Sequence, residues 1–187
     1  MKTLNALETD AALVLRVRAG SRDAAGCLAE RYLRAARAVA LSVVRDVDLA
    51  EDVCQDAFVY AMSRIDECRD PARFGGWLLT IVRNRGRNCI RARGAARAAH
   101  AEAAFADESR TAPDPSAEQI EARERLLAAL GLLSEVRRSV LLLHDLEGWT
   151  HDEIAGLLDL PSGTVRSHLH YARKRVRTLL ERSVVLT

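Results

Sequence analysis

The sequence predicts an all-α protein, with two small helical domains joined by a flexible linker. Three observations carry this reading. Apolar residues recur at steps of three and four along most of the 187-residue chain, and no run alternates cleanly as a strand would. Alanine, leucine and arginine dominate, which favours helices over sheets. Residues 95–116 then break the pattern, with little periodic apolar content and a pair of prolines, Pro113 and Pro115, near their end. The expected boundaries are residues 1–94 for the first domain, 95–119 for an acidic tether and 120–187 for the second.

The elements follow in order. Residues 9–20 form a short helix that ends at Gly20. Residues 24–44 form a longer one, with Leu28, Tyr32, Ala35, Val39 and Val43 on one side. Asp46 and Asp48 mark a turn. Residues 49–65 are a third helix, its core side formed by Val53, Ala57, Tyr60 and Ala61. Residues 66–72, DECRDPA, read as a polar loop. The fourth helix, 74–93, puts Trp77, Leu78, Ile81 and Val82 in the core and ends at Gly94. Beyond the tether, residues 120–133 turn Leu126, Leu127, Leu130 and Leu133 inward. Ser134 caps a helix that runs through Val140, Leu141 and Leu143 to a stop at Gly148.

Residues 150–177, THDEIAGLLDLPSGTVRSHLHYARKRVR, read as a helix-turn-helix. Thr150 and Glu153 have capping-box spacing, and Ile154, Leu157 and Leu158 form the stripe of the first helix. Leu160-Pro161-Ser162-Gly163 breaks it. In the second helix Val165, Leu169, Ala172, Val176 and Leu179 share one side, while Arg166, His170, Arg173 and Arg177 project from another. A short helix pair with a cationic outer face fits the major groove and its phosphates.

Net charge is +2, too balanced to point to nucleic acid, but its distribution does. Arg83, Arg85, Arg87, Arg91, Arg93 and Arg97 form a basic run with no acid between them. Asp46, Asp48, Glu51, Asp52 and Asp56 cluster on the other sign, as does the stretch 102–124. Two basic blocks separated by acidic ones imply two nucleic-acid surfaces and a basic partner. Cys27, Cys54, Cys68 and Cys89 form no CxxC pair and no zinc-finger spacing, so no metal or other cofactor is expected; buried free thiols are the default reading. Arg16 and Arg18 interrupt the only early apolar run, and no apolar stretch could span a membrane, so the expected setting is cytoplasmic.

On the fourth helix, Phe74, Trp77, Arg83, Asn84, Arg87 and Asn88 pass from apolar to basic. Aromatics beside arginines and asparagines can hold a single strand with its bases stacked or flipped out. Read without partners, Trp77 is core, and Asn84 and Arg87 lie on a solvated face. Glu51, Asp52, Gln55 and Asp56 make one exposed acidic face, where like charges four apart repel by a few tenths of a kcal/mol unless a basic partner offsets them. No catalytic constellation appears; His144 and Asp145, adjacent on a helix, are expected to point apart. The protein therefore reads as a binding protein, not an enzyme.

These residues match a pattern. The chain resembles a bacterial RNA polymerase sigma factor of the extracytoplasmic-function (ECF, group IV) type in the sigma-70 superfamily. AEDVCQDAFVYAMSRID resembles the core-binding segment of region two, FGGWLLTIVRNRGRNCIRARG the adjoining promoter-melting segment, and LSEVRRSVLLLHDLEGWTHDEIAGLLDLPSGTVRSHLHYARKRVRTLL region four. The resemblance implies that Asp52, Gln55 and Asp56 dock on the clamp helices of core polymerase. It implies minus-10 contacts from Tyr60, Cys68, Ala72, Phe74, Trp77, Asn84, Arg87 and Arg91. It implies minus-35 contacts from Thr164, Arg166, Ser167, His168, His170, Tyr171, Arg173 and Lys174, with the second module also on the polymerase flap. It further implies an anti-sigma partner wedged between the modules and a linker that threads toward the RNA exit channel.

Three positions depart from the family's pattern. Asn88 stands where many relatives carry aspartate. His168 and Tyr171 stand where many carry arginine or lysine, which predicts weaker phosphate contacts and a pH-sensitive upstream contact. The loop 66–74, which matches the family's base-specificity loop, contains Cys68 and Pro71, so the minus-10 sequence is not transferable. Two other readings remain: a stand-alone helix-turn-helix regulator, which leaves the acidic face unexplained, and a decoy that occupies polymerase without starting transcription.

Overall fold

The computed structural model describes residues 8–99 and 125–184, and every described element is helical. Helix α1 spans Asp10–Arg18, α2 Arg22–Val44 and α3 Val47–Ser63. Two 3-10 turns, Ile65–Glu67 and Pro71–Arg73, lead into α4, Phe74–Ala99. Helix α5 is described over residues 125–131. Helix α6, Glu135–Leu141, widens into a π-helical turn, Leu142–Leu146, before α7, His151–Leu158, and α8, Ser162–Val184. The tether beyond residue 99 and the helix start expected at residue 120 lie outside the described residues.

Local chemistry sets the helix starts. The side chains of Thr9, Ser21 and Asp46 accept backbone N–H groups of the first turns of α1, α2 and α3, satisfying donors that the helix leaves open. Thr150 and Glu153 form the complete capping box expected. Ser134 occupies the N-cap of α6, but its hydroxyl makes no cap hydrogen bond. Gly148 ends the π turn with φ +75°, a conformation only glycine adopts at little cost. Gly94, in contrast, does not stop α4, which runs on to Ala99. A single interior glycine costs only about 1 kcal/mol relative to alanine, and the alanines after it favour helix.

Helices α1 to α4 pack around Leu13, Leu28, Val39, Phe74, Leu78 and Val82, all fully buried. Each such side chain stabilises by about 1.5–3 kcal/mol relative to exposure. Helix α2 crosses α4 closely because Gly75 and Gly86 carry no side chain where Tyr32 and Val43 press in. The Tyr32 hydroxyl donates to Asp10, which also takes an ion pair from Arg31 at 2.5 Å. In the second module Leu130, Leu133, Val140, Leu143, Ile154, Val165, Leu169 and Ala172 are buried between α5 and α8. Two expected core residues lie outside: Tyr60 is 37% and Leu126 45% exposed. Tyr60 lies at the flank of a stripe whose Ala57 and Ala61 are fully buried, and Leu126 lies in the first described turn of α5.

The two modules share one continuous hydrophobic core. Helix α2 packs on α6 and the π turn, and α4 on α7. Polar groups lock the junction. Arg138 is 2% exposed and donates to the carbonyls of Leu130 (2.6 Å) and Leu133 (2.7 Å) in its own module, and to that of Ser42 across the junction. The hydroxyls of Ser42 and Ser139 meet at 2.7 Å. Burial pulls the Arg138 guanidinium down to about 10, with Arg45 adding to the shift. Ion pairs ring this contact: Glu135 with Arg87 (3.0 Å) and Arg83 (3.4 Å), Glu147 with Arg34 (2.6 Å), and Asp159 with Arg73 (2.9 Å).

Gly75→Ala should test the α2–α4 crossing. A methyl there would sit 2.7 Å from Tyr32 Cζ, so overpacking should cost about 1–3 kcal/mol and lower the melting temperature by several degrees. Gly26→Ala, a helical position with open space around its Cβ, should instead raise it.

Candidate nucleic-acid interface

The first surface is the outer face of α3. Asp52, Gln55 and Asp56 are exposed along it, as expected, and nothing but a 3.8 Å contact from Arg85 to Asp56 engages them. Glu51 turns away to pair with Arg37. One turn beyond Gln55 and Asp56, Val59 is 72% exposed. It gives the acidic face an apolar contact point that reading charge alone missed; its signal was its place three and four residues after them.

Beside this face, α3 and α4 enclose a groove of about 900 Å³. Asp52, Asp56 and Tyr60 form one wall; Trp77, Thr80, Asn84 and Arg85 form the other. Tyr60 lies on its rim with the Arg85 guanidinium 4.6 Å above its ring, a cation–π contact that holds the ring edge outward. Trp77 is half-buried: one part packs on Phe74 at 6.0 Å and another lines the groove. Trp77 thus belongs to the core on one side and to the groove on the other.

The remaining residues of the first module divide. Ala72, Asn84, Arg87 and Arg91 are exposed. Phe74 is fully buried against Tyr32 and Trp77, and Cys68 is 1% exposed, its thiol donating to the Asp70 carbonyl at 3.5 Å. Neither side chain presents a surface in this arrangement. Burial pushes the Cys68 thiol up and holds Cys54 at about 11, so both stay protonated and unreactive at neutral pH. The loop around Cys68 faces α7 across a second groove of about 460 Å³, closed by Arg73 and Asp159.

The second module presents α8. Arg166, Ser167, His170, Tyr171 and Lys174 are exposed, while Thr164 and His168 are half-buried. Ser162 opens the helix and donates to Asp152 at 2.6 Å, fixing the turn between the two helices. His170 and Tyr171 meet edge to face at 5.6 Å. Arg137, reaching over from α6, places its guanidinium 5.4 Å from the Tyr171 ring centre. Arg173 is engaged elsewhere: it grips Asp145 with two hydrogen bonds, 3.0 and 2.5 Å. The Arg173 hydrogen bond, with a second from His144, holds the Asp145 carboxyl below its ordinary value of 3.8.

His144 and Asp145 do not point apart. His144 Nδ1 lies 2.8 Å from the Asp145 carboxylate. The π turn is the reason: with an extra residue per turn, the Glu147 N–H bonds back to Leu142, and neighbours step through a smaller angle than in an α-helix. Further round, an apolar groove of about 710 Å³ opens between the modules, lined by Leu41, Val47, Leu126, Leu127, Leu146 and Val176 among others. Its residues come from five elements, so no single periodicity could announce it.

Two grooved or basic surfaces, an acidic α3 face and a helix-turn-helix define a helical DNA-binding protein with a protein-docking face. Known proteins agree. The family model for sigma-70 region 2 matches residues 28–96, and that for sigma-70 region 4 matches residues 123–176. The chain is 34% identical over 169 residues to the probable RNA polymerase sigma factor RfaY of Xanthomonas campestris pv. campestris, covering 88% of this chain but 42% of that one. It is 30% identical over 177 residues to the ECF RNA polymerase sigma-E factor of Escherichia coli (strain K12), covering 90% of this chain and 92% of that one. Among solved structures it resembles CnrH in complex with the cytosolic domain of CnrY, with a TM-score of 0.66 at 27% identity over 94% of this chain and 99% of that one. It also resembles the sigma factor RpoE in complex with the anti-sigma factor NepR from Bartonella quintana, with a TM-score of 0.57 at 26% identity over 82% and 94%. The chain belongs to the extracytoplasmic-function sigma factors of the sigma-70 family.

The Arg173–Asp145 pair has a pH signature. Because the folded-state carboxyl lies below its ordinary value, the pair stabilises above pH 3.8 and is lost as pH falls through the folded value. Asp145→Asn should therefore lower the urea midpoint at pH 7, and the difference from the unmodified protein should shrink below pH 3.8 and close as pH falls through the folded-state value.

Proposed function

We propose that this protein directs core RNA polymerase to a specific set of promoters and initiates transcription there. The observation that carries the reading is the ordered pair of regions, each exposing a different binding chemistry: carboxylates on α3 and guanidinium, imidazole and phenol groups on α8. Residues 1–94 form the polymerase-binding and minus-10 module, 95–119 the tether and 120–187 the minus-35 module. Asp52, Gln55 and Asp56 meet the polymerase clamp helices. The α3–α4 groove takes the melted minus-10 strand, with Trp77 and Asn84 on its α4 wall. Arg166 and Ser167, in the first turns of α8, reach base edges of the minus-35 element. The chain is a transcription factor, not an enzyme, and works in the cytoplasm; no described helix is long and apolar enough to cross a membrane.

The closed arrangement supports control by an anti-sigma factor. Arg83 and Arg87 are neutralised by Glu135, and the specificity loop faces α7, so promoter melting requires the modules to separate. RpoE of Bartonella quintana was solved with an anti-sigma factor bound. In this protein the apolar groove between the modules is the surface such a partner would cover, since filling it ties both together.

Run-off transcription with core polymerase and a genomic library tests the function: discrete starts sharing two upstream elements are expected. Asp52→Arg with Asp56→Arg should abolish polymerase binding while leaving the fold intact, because both side chains are exposed. A stand-alone regulator would be indifferent to that change. Arg166→Ala should weaken promoter binding by roughly 1–3 kcal/mol at the minus-35 element only.

A further inference from the structure

We infer that Arg137 of α6 belongs to the promoter-binding surface, supplying beside the recognition helix the positive charge that Tyr171 does not carry. The argument starts with α8. Tyr171 is 55% exposed, on the same side of α8 as His170 and Lys174. A phenol there offers a ring and one hydroxyl, but no charge to neutralise a phosphate. Arg173 is committed to Asp145 in a two-pronged ion pair, and the exposed Lys174 and Arg175 lie a turn further along α8.

Arg137 fills the gap from another element. Its guanidinium lies 5.4 Å from the Tyr171 ring centre, within cation–π range. No carboxylate pairs with it among the described residues, whereas its neighbours on α6 are all engaged: Glu135 with Arg83 and Arg87, and Arg138 with buried carbonyls. The contact holds the half-buried Arg137 beside the ring, with its N–H groups not taken by a carboxylate among the described residues. Those groups are what bond a phosphate oxygen, and a guanidinium held in place loses less freedom on binding than a loose one. His170, edge-on to Tyr171 at 5.6 Å, continues the row toward Arg166. The inference rests on α8 being the minus-35 reader, and goes beyond it by adding a residue from outside the helix-turn-helix.

The test is promoter binding by reconstituted holoenzyme as a function of salt, with Arg137→Ala, Arg166→Ala, Tyr171→Lys and the Arg137→Ala/Tyr171→Lys pair. Losing one phosphate contact should reduce the slope of log affinity against log salt by about one. Over a fourfold salt range that is roughly a three- to four-fold difference in relative affinity. For Arg137→Ala the loss should be equal on promoters with altered minus-35 bases, and Tyr171→Lys should restore the slope in its background. An unchanged slope for Arg137→Ala beside a weakened Arg166→Ala would overturn this inference alone. An unchanged response in both would overturn it together with the minus-35 reading. A loss explained by a lowered melting temperature, with no slope change and no rescue by lysine, would make Arg137 a structural residue and also overturn it.

Discussion

The closed molecule depends on how one buried cation is satisfied. Among the described residues Arg138 has no carboxylate partner; its charge is solvated by main-chain carbonyls at the end of α5 and by the carbonyl of Ser42 in the opposite module. Carbonyls at a helix C-terminus are unpaired and carry partial negative charge, so they suit a cation. The acceptors within α5 hold the guanidinium whether or not the modules touch. Only the Ser42 carbonyl, and the Ser42–Ser139 hydroxyl pair beside it, are lost when they part. Burying a charge is costly unless it is fully hydrogen-bonded, and water can replace the single cross-junction acceptor. Closure is therefore supported chiefly by the shared apolar core, while Arg138 sets its register.

The ion pairs around that contact sort the basic residues into two groups. Arg34, Arg73, Arg83 and Arg87 are engaged by acids of the second module. Arg91, Arg166 and Lys174 are exposed on their own elements, as are the α3 carboxylates. Pairs as exposed as Arg73–Asp159 contribute only about 0–1 kcal/mol each and weaken with salt. What they achieve is selectivity of access: Asp52 and Gln55 stay exposed on α3 while Arg83 and Arg87 of the first module are occupied by the second.

Helices with a strong stripe were legible in the sequence. The α2 face of Leu28, Tyr32, Ala35, Val39 and Val43 is buried in full, and the capping box of α7 forms as its spacing required. The flanks of stripes were less so: Tyr60 turns to solvent beside the buried Ala57 and Ala61, and Leu126 is exposed in the first described turn of α5. The π turn escaped because nothing in Leu142–Leu146 distinguishes it from α-helix; tertiary packing against α2 widens it, and the His144–Asp145 contact followed. Of the interface, charge and spacing exposed the α3 carboxylates and the α8 row. They could not show that Phe74 and Cys68 turn inward, that Arg173 is taken by Asp145, or that Arg137 arrives from another helix, since each depends on side chains far apart in the chain.

The two tryptophans fall at the junction of the modules and in the α3–α4 groove. Trp149 stacks on Tyr32 across the junction, with ring centres 6.3 Å apart, and Trp77 lines the groove between α3 and α4. An indole leaving an aromatic neighbour for water shifts its emission to longer wavelength. Parting of the modules would expose Trp149, and a ligand in the groove would cover Trp77, so each event would be reported by its own native fluorophore without any attached dye.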